Sequence, residues 1–172
     1  MVINGQDILV LLKLVDPSLE WTIRSLAEEL HLARAGTHRS LQRLDRAGLF
    51  DLTRRRLNIS NSEEFLIHAV RYLFPGRLGS ETRGVPTAWA ARPLTDILGS
   101  QDVLPPVWPD PHGARRGLAL EPIHPTVPEN SARDPRLGER LVLTDALRLG
   151  DSRVRTVARS LLVERLHDGA RP

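Results

Sequence analysis

Proline placement constrains this chain more than any other feature: eleven of its 13 prolines fall between Pro75 and Pro135. A proline inside a helix removes a backbone hydrogen bond and clashes with the preceding turn, at a cost of roughly 3 kcal/mol or more. That stretch is therefore no helix bundle. It still carries Val85, Trp89, Ile97, Leu98, Val107, Trp108, Leu118, Leu120 and Ile123, which argues for packing and against a free linker. Residues 76–133 are expected to form a packed irregular segment, with one strand at 116–121. The flanks, residues 1–75 and 134–172, can be helical. The fold class expected is mainly α with a small β-hairpin, in three segments.

Ile8, Leu11, Leu12 and Val15 follow helical spacing, with Asp7 as the expected N-cap. Leu9, Val10 and Leu14 make this first helix apolar nearly all round, so it needs cover on two sides, from its own chain or from a second copy. Asp16-Pro17-Ser18 ends it. Thr22 caps a second helix with Ile23, Leu26, Ala27 and Leu30 inward. A third spans about 34–47, with Thr37, Leu41 and Leu44 inward, and Gly48 stops it. Residues 49–52 and 56–59 read as the strands of a hairpin around Thr53-Arg54-Arg55. Asn61-Ser62-Glu63-Glu64 opens a fourth helix that Pro75-Gly76 closes. In the last segment, Asp134-Pro135 is a cap followed by proline at the first helical position. Gly150-Asp151 then joins two amphipathic helices into an expected helical hairpin.

Cysteine is absent, which excludes disulfides, thiolate catalysis, cysteine-ligated zinc and iron–sulfur clusters. The longest apolar run, residues 8–12, is five residues, against about 20 for a membrane span. The N-terminus has neither a basic patch nor a small-residue cleavage site. A cytoplasmic protein away from membranes is expected. Of 24 basic residues, 23 are Arg and one is Lys13, and the net charge is +3. The three segments carry +1, 0 and +2, yet residues 33–56 hold seven Arg against Asp45 and Asp51, a local +5. Such a concentration in a nearly neutral chain points to a polyanion-binding face. The plainer alternative is a solvated helix surface.

The same region carries the pattern Leu26-Ala27-Glu28-Glu29-Leu30-His31-Leu32, then an Arg-rich helix and a Gly-terminated hairpin. Ala27 is small where two helices would cross, Leu30 and Leu32 bracket the turn, and Thr37 and Leu41 hold the second helix on the first. Arg34, Ala35, His38, Arg39, Gln42 and Arg43 then point outward. Arg pairs with guanine O6 and N7, and Gln with adenine N6 and N7, in the major groove.

Residues 5–75 thus resemble the winged helix-turn-helix domains of bacterial transcriptional regulators of the broad MarR/IclR-like kind. The resemblance implies sequence-specific binding of double-stranded DNA, as a regulator of the repressor type and as a homodimer. The DNA-binding residues it implies are Arg34, Ala35, Thr37, His38, Arg39, Gln42 and Arg43 on the recognition helix, with Arg54, Arg55 and Arg56 on the wing. Three positions depart from the pattern. His31 stands where the turn usually has Gly and must take a left-handed conformation. Ala33 replaces a Ser or Thr cap, at about 1 kcal/mol. Gly36 interrupts the recognition helix at a similar cost, with close approach to a phosphate as one reason for it and simple loss of helicity as the other. The remainder, including Arg71-Tyr72-Leu73-Phe74-Pro75, resembles the extension of helix-turn-helix proteins of unassigned role that accompany nucleotidyltransferase-type toxins in defence or toxin–antitoxin operons.

A non-catalytic docking module, an antitoxin-like partner of a neighbouring enzyme, is the alternative, and a protein partner or small effector is compatible with either reading. No catalytic, metal or cofactor site is expected. Gly99-Ser100-Gln101-Asp102 is a fragment of a nucleotidyltransferase signature without its downstream Asp motif. His112 and His124, near Asp110 and Glu121, read as surface histidines more readily than as a metal or acid–base site. Trp89 and Trp108 are expected to pin the middle segment to the helices.

Overall fold

The computed structural model describes residues 2–16, 18–99 and 103–168. It is a mixed α/β structure, 56% helix, with a two-stranded hairpin and a three-stranded mixed sheet. Three helices open it: α1 (Gly5–Lys13), α2 (Ile23–Glu29) and α3 (Arg34–Arg46). The first is capped by Asn4, not by Asp7. Asp7 sits three residues into the capping box, where its carboxylate accepts the Asn4 amide at 2.9 Å. Thr22 caps α2 as expected, with Ser25 closing that box. Gly48 ends α3 at φ +70°. Helix α1 ends at Lys13 with Leu14 as its C-cap, ahead of the expected stop at Asp16-Pro17-Ser18, of which Pro17 lies outside the described residues.

The hairpin follows, β1 (Phe50–Asp51) against β2 (Arg56–Leu57), with Phe50 paired to Leu57. Its strands are shorter than the sequence suggested, because Asn58 starts the next helix early: its side chain accepts the Asn61 amide at 3.1 Å. That helix is α4 (Ile59–Glu64), a π turn (Phe65–Ala69) and α5 (Val70–Leu73) in unbroken succession.

The middle segment is more regular than its prolines implied. Strands β3 (Leu78–Pro86), β4 (Pro106–Pro109) and β5 (Arg115–Leu120) each pair with the other two, β3 antiparallel to both and β4 parallel to β5. The prolines of the sheet, Pro86, Pro106 and Pro109, stand at strand ends, where a missing N–H costs least. Closing so small a sheet brings backbones together: a Cβ on Gly84 would lie 2.1 Å from the Trp108 carbonyl oxygen, and one on Gly117 2.0 Å from that of Pro105. Between β3 and β4 lie a 3₁₀ turn (Ala88–Ala90) and α6 (Leu94–Leu98).

Helix α7 (Val127–Arg133) leads into α8 (Pro135–Leu149), which Asp134 caps with Pro135 at its start, and then α9 (Ser152–Asp168). The C-terminal helices pack together. One apolar cluster runs from α1 through α3, Leu94 and Trp108 to α8 and α9. The three sequence segments therefore share a core. Helix α1 lies between α3 on one side and α8 on the other, and Ile8, Leu9, Val10, Leu11 and Leu12 are fully buried. The apolar faces that pointed to a second copy are covered by the chain itself, so they no longer argue for a dimer.

Two buried ion pairs hold this arrangement. On α8, the Asp145 carboxylate accepts the Trp108 indole N–H at 2.6 Å, the Thr87 hydroxyl at 2.9 Å and Arg148 at 2.5 Å. Trp108 is thus the anchor expected of it. Burial pushes the Asp145 carboxyl up, against the pull of those three donors. Arg148 also donates to the Phe74 carbonyl at 2.7 Å, so one cluster joins α8 to the sheet and to the end of α5. The second pair, Arg43 with Asp7, belongs to the candidate site.

Candidate nucleic-acid interface

The inner face of α3 fixes the outer one. Leu41 and Leu44 are fully buried. Thr37 is buried too, its hydroxyl donating to the Ala33 carbonyl at 3.2 Å. Below them, Arg43 Nε and Nη2 donate to the two oxygens of Asp7 at 2.8 and 2.7 Å. Asp7 is fully buried, and this hydrogen bond is the first cause of a raised Arg43 pKa. Gln6 adds a second tie, donating to Ser40 Oγ at 2.9 Å. A Cβ on Gly36 would come within 3.2 Å of that same Gln6 amide nitrogen. Gly36 therefore serves the contact between α1 and α3. Thr37 and Arg43, both among the sequence-predicted DNA-binding residues, are committed to the interior.

The other predicted residues of α3 face out. Arg34, Ala35, His38 and Arg39 are exposed and Gln42 is half-buried. Their spacing places them in one stripe along the helix. Among the described residues, the side chains of Arg34, His38 and Arg39 make no hydrogen bond or ion pair. The stripe presents two guanidiniums, an imidazole and an amide, the donors that base edges and phosphates accept.

The turn between α2 and α3 is braced from far along the chain. His31 adopts φ +54°, the left-handed conformation expected of it, and Ala33 offers no side-chain cap. Helix α7 clasps this turn. Asn130 donates to the Leu30 carbonyl at 3.1 Å, and Arg133 Nη1 stands 2.8 Å from His31 Nε2. A guanidinium only donates, so that imidazole nitrogen accepts.

The hairpin is tied to α3 by Asp45, whose carboxylate accepts the Leu52 amide at 2.9 Å. Its three arginines have different fates. Arg54 donates its amide and its Nη1 to Asp51 at 2.7 and 2.8 Å, and that amide, with the guanidinium behind it, lowers the Asp51 pKa. Arg55 folds back at φ +54°. Its guanidinium donates to the Trp21 carbonyl and stacks 4.0 Å from the centroid of the Trp21 ring. Arg56 is exposed. Arg54 and Arg56 are thus presented to solvent, while Arg55 shapes the tip.

Sequence reasoning missed the supports: Gln6, Asp7, Trp21 and Asn130. Only Asp7 left a local trace, the Asn4–Asp7 spacing of a capping box. The remaining sequence candidates do not assemble. His112 is exposed, and its amide donates to Asp110 at 2.8 Å. His124 accepts the Thr126 amide at 3.3 Å in the turn before α7, and burial lowers its pKa. No cluster of three or more His, Asp or Glu forms a metal site among the described residues. Ser100, Gln101 and Asp102 lie outside the described residues. No described helix is long and apolar enough to cross a membrane. Compared with protein-family models, curated proteins and solved structures, the chain matches none.

Proposed function

We propose that this chain is a winged helix-turn-helix protein that binds double-stranded DNA and regulates transcription. In this reading α3 enters the major groove and the β1–β2 hairpin is the wing beside it. One observation carries the reading: α3 is anchored from below by Leu41, Leu44 and the Arg43–Asp7 pair, while Arg34, His38 and Arg39 stand unpaired on its outer face among the described residues. A rigid helix with free donors suits base reading, which needs side chains held at fixed positions. Palindromic sites one helical turn apart, about 34 Å, would then recruit two copies side by side.

The test is selection of duplexes from a random library, followed by titration of a selected duplex. Arg34→Ala and Arg39→Ala are each expected to weaken binding by about 1–3 kcal/mol, roughly 5- to 150-fold, without lowering the unfolding midpoint. If no duplex is enriched, or if both variants bind as the wild type does, the reading fails and the docking-module alternative gains.

The hairpin gives a second expected result. An Arg54→Ala, Arg56→Ala double variant should weaken selected and unselected duplexes alike. It should lower the slope of log affinity against log salt by about 0.9 for each phosphate that is no longer neutralised. Arg55→Ala should act differently, by releasing the tip from Trp21. Titrations at several salt concentrations check this; an unchanged slope in the double variant places the hairpin off the DNA.

A further inference from the structure

A cleft opens between the helix that leaves the hairpin and the last helix of the chain, with a volume of about 240 Å³. The π turn and α5 supply His68, Arg71 and Tyr72 to one wall; α9 supplies Arg155, Thr156 and Arg159 to the other. On each wall these residues recur at helical spacing and so face the same way. No acidic side chain lines the cleft among the described residues. Three guanidiniums share the cleft without an acid, Arg155 also donating to the Gly150 carbonyl at 2.6 Å; like charges repel, and a bound anion relieves that repulsion.

We infer that this cleft binds the phosphate groups of a small diphosphate-bearing molecule. The volume lies just below the ~300–1,000 Å³ of whole small-molecule sites, which suits one or two phosphate groups inside and the rest of the ligand outside. Arginine forks recognise phosphate through paired N–H donors. Arg159 is exposed and unpaired among the described residues. Arg71 lies 5.0 Å from the centroid of the exposed Tyr72 ring, which presents a flat surface at the rim. The π turn belongs to the site: an extra residue in a helix turn redirects the side chains beyond it, and such turns recur at functional sites. The inference stands whether or not α3 binds DNA.

Isothermal titration with inorganic pyrophosphate tests it, with sodium sulfate at matched ionic strength as the control. The expected result is saturable binding of one pyrophosphate per chain. An Arg71→Ala, Arg159→Ala double variant should bind at least tenfold more weakly. Thr156→Glu removes no arginine and changes an exposed position, yet it places a carboxylate in the cleft and should abolish binding. Unfolding midpoints without ligand show that each variant folds. An Arg34→Ala, Arg39→Ala variant should bind pyrophosphate as the wild type does. The inference is overturned if the wild type shows no saturable binding at millimolar pyrophosphate, if folded Thr156→Glu retains full affinity, or if sulfate binds equally well. It is overturned too if only the α3 variant loses binding, which would place the anion on that helix.

Discussion

Replacing Asp145 with alanine is expected to cost about 3–5 kcal/mol of folding stability, the range for breaking a buried ion pair from one side. The variant keeps Arg148, whose side chain is 6% exposed and would have lost its carboxylate. It also strands the indole N–H of Trp108 and the hydroxyl of Thr87, both of which donate to Asp145. A typical domain has only about 5–15 kcal/mol in total, so the loss is a large fraction of what holds the chain folded. Urea unfolding measures it through the midpoint. Trp108→Phe is the companion variant: it removes one donor and leaves the ion pair, and should cost less. A loss under about 1 kcal/mol for Asp145→Ala would show that the cluster does not clamp the sheet to α8.

Arg43→Ala is expected to produce a loss of similar size, again about 3–5 kcal/mol, because Asp7 is fully buried and Arg43 carries its opposite charge. This separates Arg43 from the arginines around it. Arg34 and Arg39 are exposed, and their alanine variants should stay within about 0.5 kcal/mol of the wild type in stability. An Asp7→Asn, Arg43→Met double variant removes both charges, and should recover part of what Arg43→Ala loses. Thermal and urea unfolding of the four variants check the pattern. A stable Arg43→Ala protein would mean that the guanidinium is free to act on the surface.

The two pairs also show where the sequence is informative. Local signals were legible. Thr22 before α2, Gly48 after α3 and Asp134-Pro135 before α8 act through backbone groups within a few residues, so spacing alone reveals them. The outward stripe on α3 was legible for the same reason, since helical period sorts Arg34, His38 and Arg39 from Leu41 and Leu44. Non-local choices were not. Arg43 sits at the edge of that stripe, and only its meeting with Asp7, 36 residues away, decides that it turns inward. The sheet is hidden in the sequence because β3 pairs with strands that lie far along the chain, and the prolines that end those strands mask their short apolar runs. The groove between α5 and α9 had no sequence signature, because its two walls are ordinary helix faces until the fold opposes them.

The burial of α1 has a consequence for how the chain is made. Its carbonyl at Leu12 accepts a hydrogen bond from Arg140, 128 residues later. Ribosomes add about 5–20 residues per second, so α1 waits roughly 6 to 26 s before the residue that binds it is even synthesised. Once α3 has been made, Ile8–Leu12 has α3 on one side and, for the rest of that interval, nothing from α8 on the other. During synthesis this helix therefore keeps one apolar face bare, and a holdase that grips apolar segments should engage it then and release it when α8 emerges.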